Sequence, residues 1–234
     1  MKLDTSIYLL DWLFILRGAG ITMFLCLNAM VFGSILGLII GTMRTSKFSI
    51  LNYISGAYIY VIRGTPLLMQ LFLVYYGLPV FFRIIVSAYT TALVGLTIYA
   101  AAYLAEIVRA GLQSVDKGQK DAAKALGMTS LQEFRSVVLP QALKVIVPPA
   151  FGFFIALIKD SSLVAIIGFI ELTRSSRMVI SRTYRPFTIY LGVALIYFVI
   201  CYGFSIISRK YLKANQQDTY KTSQSLKTNA IKAS

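Results

Sequence analysis

Apolar residues occur in blocks of about twenty along this chain, separated by short polar stretches. A helix needs roughly 20 such residues to cross the hydrocarbon of a bilayer. The blocks predict spans at about 20–42, 66–82, 85–108, 143–170 and 187–207. In the first block Gly33, Gly37 and Gly41 recur every fourth residue, a spacing that lets another helix approach the backbone closely. A weaker apolar run, 51–62, precedes "RGTP" and reads as an elbow along the membrane surface. Thr65 is the expected N-cap of the second span, Pro66 its first helical residue and Arg63 an anchor at the membrane edge. The "GLP" at 77–79 is expected to break that span, and Pro148-Pro149 and Lys159-Asp160 interrupt the fourth. Residues 1–17 read as a segment ahead of the bundle. Residues 209–234, rich in Ser, Thr, Gln and Lys, read as a disordered polar tail.

One interval departs from this pattern. Residues 116–140 are polar and amphipathic, with helix punctuation. Asp116, with Gln119 three residues on, caps a first helix, and Gly127 ends it in a left-handed turn. Ser130-x-x-Glu133 reads as a second capping box, and that helix is expected to stop at Pro140. Ala122, Ala123, Leu126 and Met128 cluster as small and apolar positions at the corner. Such a surface suits insertion into a cleft of another protein, and equally suits packing on its own bundle.

Composition sharpens the membrane reading. The chain has 234 residues, 57% hydrophobic and only 14% charged, against about 25% charged in a soluble domain. Mean hydropathy is +0.72. The net charge of +14 sits between and after the apolar blocks, as membrane topology requires and a nucleic-acid-binding face does not. Arg44, Lys47, Arg63, Arg109, Lys117, Lys120, Lys124, Arg135 and the tail fall on one side of a five-span topology, so the N-terminus is expected outside and the C-terminus in the cytoplasm. Arg174, Arg177, Arg182 and Arg185 lie on the opposite side and break the rule. The sequence contains no histidine, and Cys26 and Cys201 lie within apolar runs, which argues against a metal centre or a disulfide. No cleavable signal is evident, because the first apolar run is too long for one.

The polar interval "DAAKALGMTSLQEFRSVVLP" resembles the EAA loop of ABC importer permeases, departing once, with Asp121 where glutamate is usual. "RGTPLLMQLFLVYYGLP", "AAYLAEIVRAGLQSVDKGQKDAAKALG" and "IKDSSLVAIIGFIELT" are similar to the polar amino acid permeases of that superfamily, of histidine, glutamine or glutamate type. Threonine is usual there at about the position of Ser161. The resemblance covers about 18–208. It implies an all-α type I ABC importer transmembrane fold with a cytoplasmic coupling loop at 116–140, in a bacterial inner membrane. It also implies a dimer with a like or sister permease, an extracytoplasmic solute-binding protein, and an amino acid cargo. ATP and Mg would be used by a partner ATPase, with no cofactor on this chain, which contains no G-x-x-x-x-G-K-[ST] phosphate loop.

On that resemblance Asp121, Ala122, Ala123, Leu126, Gly127, Met128, Leu139 and Pro140 are the expected ATPase-docking residues. Lys159 and Asp160 are charges inside a span, where each costs about 2.5–3.5 kcal/mol on insertion scales. They either bind a zwitterionic cargo or gate the pathway, or else pair structurally with Glu106 or Arg109. Ser161 and Ser162 either meet a carboxylate or bond their own helix. Gln70 either lines the pathway or bridges helices. The four arginines after Glu171 either dock an acidic receptor surface or reach lipid headgroups. An ion-coupled secondary transporter is the alternative from another class. A membrane-embedded enzyme is disfavoured by the lack of a nucleophile constellation, and a scaffold without transport leaves Lys159 and Asp160 unexplained.

Overall fold

A computed structural model describes residues 6–232, with side chains for 6–81 and 83–212. The described residues are helical, without strands. Helix α1 (Leu9–Arg44) leads into the elbow α2 (Ser49–Gly64). The chain then turns through 106° into α3 (Leu67–Phe72), a π-turn (Leu73–Gly77) and α4 (Leu78–Phe82). Helix α5 (Ala88–Gln113) is followed by the short α6 (Lys117–Ala125) and α7 (Ser130–Glu133), a second π-turn (Phe134–Val138) and α8 (Leu139–Asp160). A 3₁₀ segment (Ser161–Ile167), α9 (Leu172–Thr183) and α10 (Pro186–Lys232) complete it. Four helices are long and apolar enough to cross a membrane, and the bent pair makes a fifth span.

Three apolar cores stack along the bundle. The central one joins Leu25, Leu71, Leu96, Leu157 and Val164 from α1, α3, α5, α8 and the 3₁₀ segment. At one end Ile15, Leu172, Val179 and Ile189 tie the start of α1 to α9 and α10. At the other, Leu112, Val138 and Ile146 tie the end of α5 to α8. The predicted glycine stripe lies against α5 as the spacing required: a Cβ at Gly33 would sit 2.7 Å from the Ala100 Cβ, and one at Gly41 2.7 Å from the Ala105 carbonyl oxygen. Backbone cannot give way as a flexible side chain can. Gly41→Val is therefore expected to destabilise the chain by about 1–3 kcal/mol or more, read as a lower unfolding temperature in detergent. Gly20→Ala should leave that temperature unchanged, because nothing lies within 4 Å of the added carbon.

Several predicted boundaries shift, each for a local reason. The segment before the first span is not separate. Helix α1 starts at Leu9, with the Asp11 carboxylate accepting from the Tyr8 N–H at 2.8 Å. Its 36 residues extend about 54 Å, so its first turns project past the bilayer and pack in the α9 core. Pro66, not Thr65, caps α3, while Thr65 closes α2 and bonds back to the Val61 carbonyl at 2.9 Å.

Neither Leu-Pro pair breaks its helix. Pro79 and Pro140 each follow a π-turn directly, at the first turn of α4 and α8. Proline cannot bond the carbonyl four residues back, and the wider turn ahead of it absorbs the misfit. The second span thus runs on to Arg83, at φ 56°, and the fourth forms one continuous helical run over Ser130–Ile167. The capping box of α7 is also one residue earlier than read: Thr129 accepts from the Gln132 N–H at 3.4 Å, and Gln132 Oε1 accepts from the Thr129 N–H at 2.9 Å. The tail expected to lack structure continues α10 as helix to Lys232, since no proline or glycine follows Gly203 to stop propagation.

Candidate functional site: the coupling corner and a polar stripe within the bundle

Helix α6 starts where expected, with the Asp116 carboxylate accepting from the Gly118 N–H at 2.8 Å. It ends in a complete left-handed cap. Gly127, at φ 74°, donates to the Lys124 carbonyl at 2.9 Å, and Met128 donates to the Ala123 carbonyl at 3.1 Å. Those two bonds are the Schellman pair. They turn the chain toward α7 and leave Leu126 79% exposed at the apex. Asp121 and Ala122 on the same helix, and Pro140 at the start of α8, are exposed, and Met128 and Leu139 are half-buried. Ala123 differs from the docking set read in the sequence: at 3% exposure it packs inside this chain's own fold, leaving its helix neighbours on the free face.

A second constellation runs along α5 and α8. Tyr99, Tyr103 and Glu106 lie at i, i+4 and i+7, so they share one face of α5. Phe153 stacks on Tyr103, with ring centroids 5.2 Å apart. Asp160, seven residues further along α8, accepts from the Tyr99 hydroxyl at 3.4 Å. The Arg63 guanidinium lies 5.1 Å from the centre of the Tyr103 ring, and Glu106 is paired with Arg109 by a doubly bonded fork. The stripe thus passes from a carboxylate through three aromatic rings to an arginine-rich end. Its members are only half-buried, so this chain supplies one wall.

Lys159 points elsewhere, as the ~100° between successive helical residues demands. It borders a cavity of about 460 Å³ with Ser162, Ala194, Tyr197, Phe198 and Cys201. The proposed structural pairing of Lys159 or Asp160 with Glu106 or Arg109 does not form, because Glu106 and Arg109 satisfy one another. Ser161 is buried and donates to the Ile158 carbonyl at 2.7 Å, the self-bonding alternative. Gln70 forms a bridge. Its Nε2 donates to the Ile62 carbonyl at 2.7 Å and the Thr65 carbonyl at 3.1 Å, pinning the elbow to the second span.

The site residue that sequence reasoning missed is Glu171. It is fully buried and caps α9, accepting from the Thr173 and Arg174 N–H groups at 2.9 and 2.8 Å. Thr22 and Tyr197 also donate to it, each at 3.3 Å. Burial pushes its carboxyl above the usual carboxylate range, while the two backbone N–H groups pull the other way. The network ties α1, α9 and α10 together. On the resulting platform Arg174, Arg177 and Arg182 sit on the less buried side of α9, with Arg185 just beyond it. Arg182 is committed to Asp11 and lies 5.5 Å from the centre of the Tyr8 ring.

Residues 33–213 match the model of the binding-protein-dependent transport system inner membrane component. The chain belongs to this family. It is 39% identical over 214 residues to the probable amino-acid permease protein YxeN of Bacillus subtilis (strain 168), covering 88% of this chain and 96% of that protein. It is 42% identical over 193 residues to the probable amino-acid ABC transporter permease protein PatM of Vibrio harveyi, covering 81% and 86%. A crystal structure of an amino acid ABC transporter with histidines superposes with a TM-score of 0.81 at 39% identity, over 89% of this chain and 99% of the other.

The five-span bundle is therefore the type I importer permease fold, and the chain is a multi-pass membrane transport subunit. The ion-coupled secondary transporter weighed as the alternative finds no support, since the family is that of binding-protein-dependent transport and the relatives are named as amino-acid permeases of ABC transporters.

Proposed function

We propose that this subunit forms half of the pathway of an ATP-driven amino acid importer, with its N-terminus outside and its C-terminus in the cytoplasm. The Gly127 corner, exposed and capped on the side opposite α9, is the observation that carries the reading. A separate ATPase chain docks there, through Asp121, Ala122, Leu126 and Met128, and uses ATP and Mg. Hydrolysis on another polypeptide accords with the lack of a phosphate loop in this sequence.

The half-walled stripe of Asp160, Tyr99, Phe153 and Tyr103 faces a second permease chain and conducts the cargo. A carboxylate beside aromatic rings suits the ammonium group of an amino acid, through charge and cation–π attraction. Lys159 and Ser162 border a separate cavity against α10, where they suit a carboxylate at another point of the pathway. On the opposite membrane face Arg174 and Arg177 of α9, with Arg185 just beyond it, steer an acidic surface of a solute-binding protein, held rigid by the Glu171 network.

The test is gentle affinity purification of the tagged chain from native membranes. An ATPase subunit in the eluate, together with a second permease copy or a sister chain, is the expected result. A chain that purifies alone, or only with itself, overturns the assignment.

A further inference from the structure

Between the coupling loop and the end of the bundle lies a second cavity, of about 450 Å³. Its lining comes from four places in the chain: Thr45 and Lys47 beyond α1, Leu112 and Gln113 at the end of α5, Lys120 and Lys124 on α6, and Ser130, Glu133, Phe134 and Val138 on α7 and the π-turn after it. Three of the lining side chains are lysines and one, Glu133, is a carboxylate. Lys120 and Lys124 are four apart and so lie side by side on the helix, flanking the buried Ala123 that turns this face toward the bundle. Lys120 reaches inward, its ammonium donating to the Leu112 carbonyl at 3.4 Å. Lys124 has only a loose pairing with Asp121 at 3.9 Å, with both side chains more than half exposed.

The apolar members Leu112, Phe134 and Val138 belong to the α5–α8 core or pack on it, so they floor a cavity whose lining is mostly polar and carries three ammonium groups. The level within the membrane is set by the helix ends. Arg44 closes α1 and Gln113 closes α5, which brings the cavity to the depth of the headgroups. Beside Lys47, Phe48 and Ile50 are each 73% exposed, as expected of side chains resting in the acyl boundary.

We propose that this cavity is a site for a phosphate group borne by the membrane: the headgroup of an anionic glycerophospholipid, held by Lys47, Lys120 and Lys124 with its acyl chains against the exposed Phe48 and Ile50. A free phosphate has the same charge chemistry but no use for those two apolar side chains. Because two of the three lysines ride on α6, an occupied site splints the coupling helix against α1 and α5. That consequence rests on the docking role proposed above, whereas the binding itself does not.

The test uses the full chain in phosphatidylcholine nanodiscs with increasing phosphatidylglycerol, bound lipid being counted by native mass spectrometry. Saturable retention of phosphatidylglycerol is expected. Lys124→Gln should raise the fraction needed for half-occupancy about fivefold, and Lys47→Gln likewise, each lysine near an anionic surface being worth that factor. The triple variant K47Q/K120Q/K124Q should abolish saturation, while Lys117→Gln, exposed and outside the cavity, should bind as wild type. Normal size-exclusion profiles guard against misfolded variants, and both single changes are at exposed positions. Equal retention by the triple variant and wild type would overturn the site. Protection against thermal unfolding by inorganic phosphate as strong as that by phosphatidylglycerol would overturn its lipid assignment. ATPase capture by the same variants separates the two ideas: capture without lipid retention leaves the docking reading standing, and lipid retention without capture leaves the site standing.

Discussion

Gly127→Val should lower ATP-driven uptake about 5–30-fold while leaving the five spans inserted and the chain at its normal abundance. The corner needs a positive φ, 74° here. A residue with a Cβ pays roughly 1–2 kcal/mol for that region, and a branched one sits there as a genuine outlier. That energy corresponds to a 5–30-fold change in the population of the capped state. Sterics add nothing, since no atom lies within 4 Å of a Cβ built at Gly127. The corner also lies outside all three apolar cores, so its loss does not unfold the bundle. Gly127→Asn is the companion variant. Asparagine tolerates the left-handed region, and uptake should return close to normal. Uptake of labelled amino acid into membrane vesicles, with ATPase co-purification alongside, reads both. Full activity in the valine variant would remove the corner from the coupling mechanism.

Asp160→Asn is expected to reduce uptake at least about tenfold, the loss of one charge-assisted interaction, without lowering the unfolding temperature. Asp160 is an ionisable side chain inside a span, and it makes no ion pair among the described residues. Its hydrogen bond from Tyr99 is long, at 3.4 Å. Holding a charge there costs about 2.5–3.5 kcal/mol on insertion scales, and neutralising it in the same shape relieves that cost. Stability should therefore hold or rise while transport falls, a split that a merely structural role does not produce. Unchanged uptake and unchanged stimulation of ATP hydrolysis by cargo would return Asp160 to the packing of α8 against α5.

Much of the architecture was legible because it depends on neighbours in the chain. Span length and hydropathy belong to contiguous residues, and so do the Asp116 cap and the Gly127 corner. The Gly33, Gly37 and Gly41 stripe is also local in its period, and it found α5 as its partner. The misreadings were local as well. Pro79 and Pro140 look like stops until a π-turn takes up the missing hydrogen bond.

The sequence by itself determined five crossings, an elbow, a capped polar corner and two charges that had to be housed inside a span. The tertiary structure alone decided what those charges face. It set Asp160 against Tyr99 and the aromatic rings, and turned Lys159 toward Tyr197 and Cys201. It brought Thr22 and Tyr197 to Glu171, residues 149 and 26 positions away, and turned Ala123 inward. The physical reason lies in the solvent. In water one apolar stripe marks the buried face of a helix, so the inward face can be read from periodicity. In a bilayer the outward face is apolar too, as Phe24 and Phe198 are here at 59% and 62% exposure. With both faces alike, the inward side of a span emerges only when its neighbours pack against it.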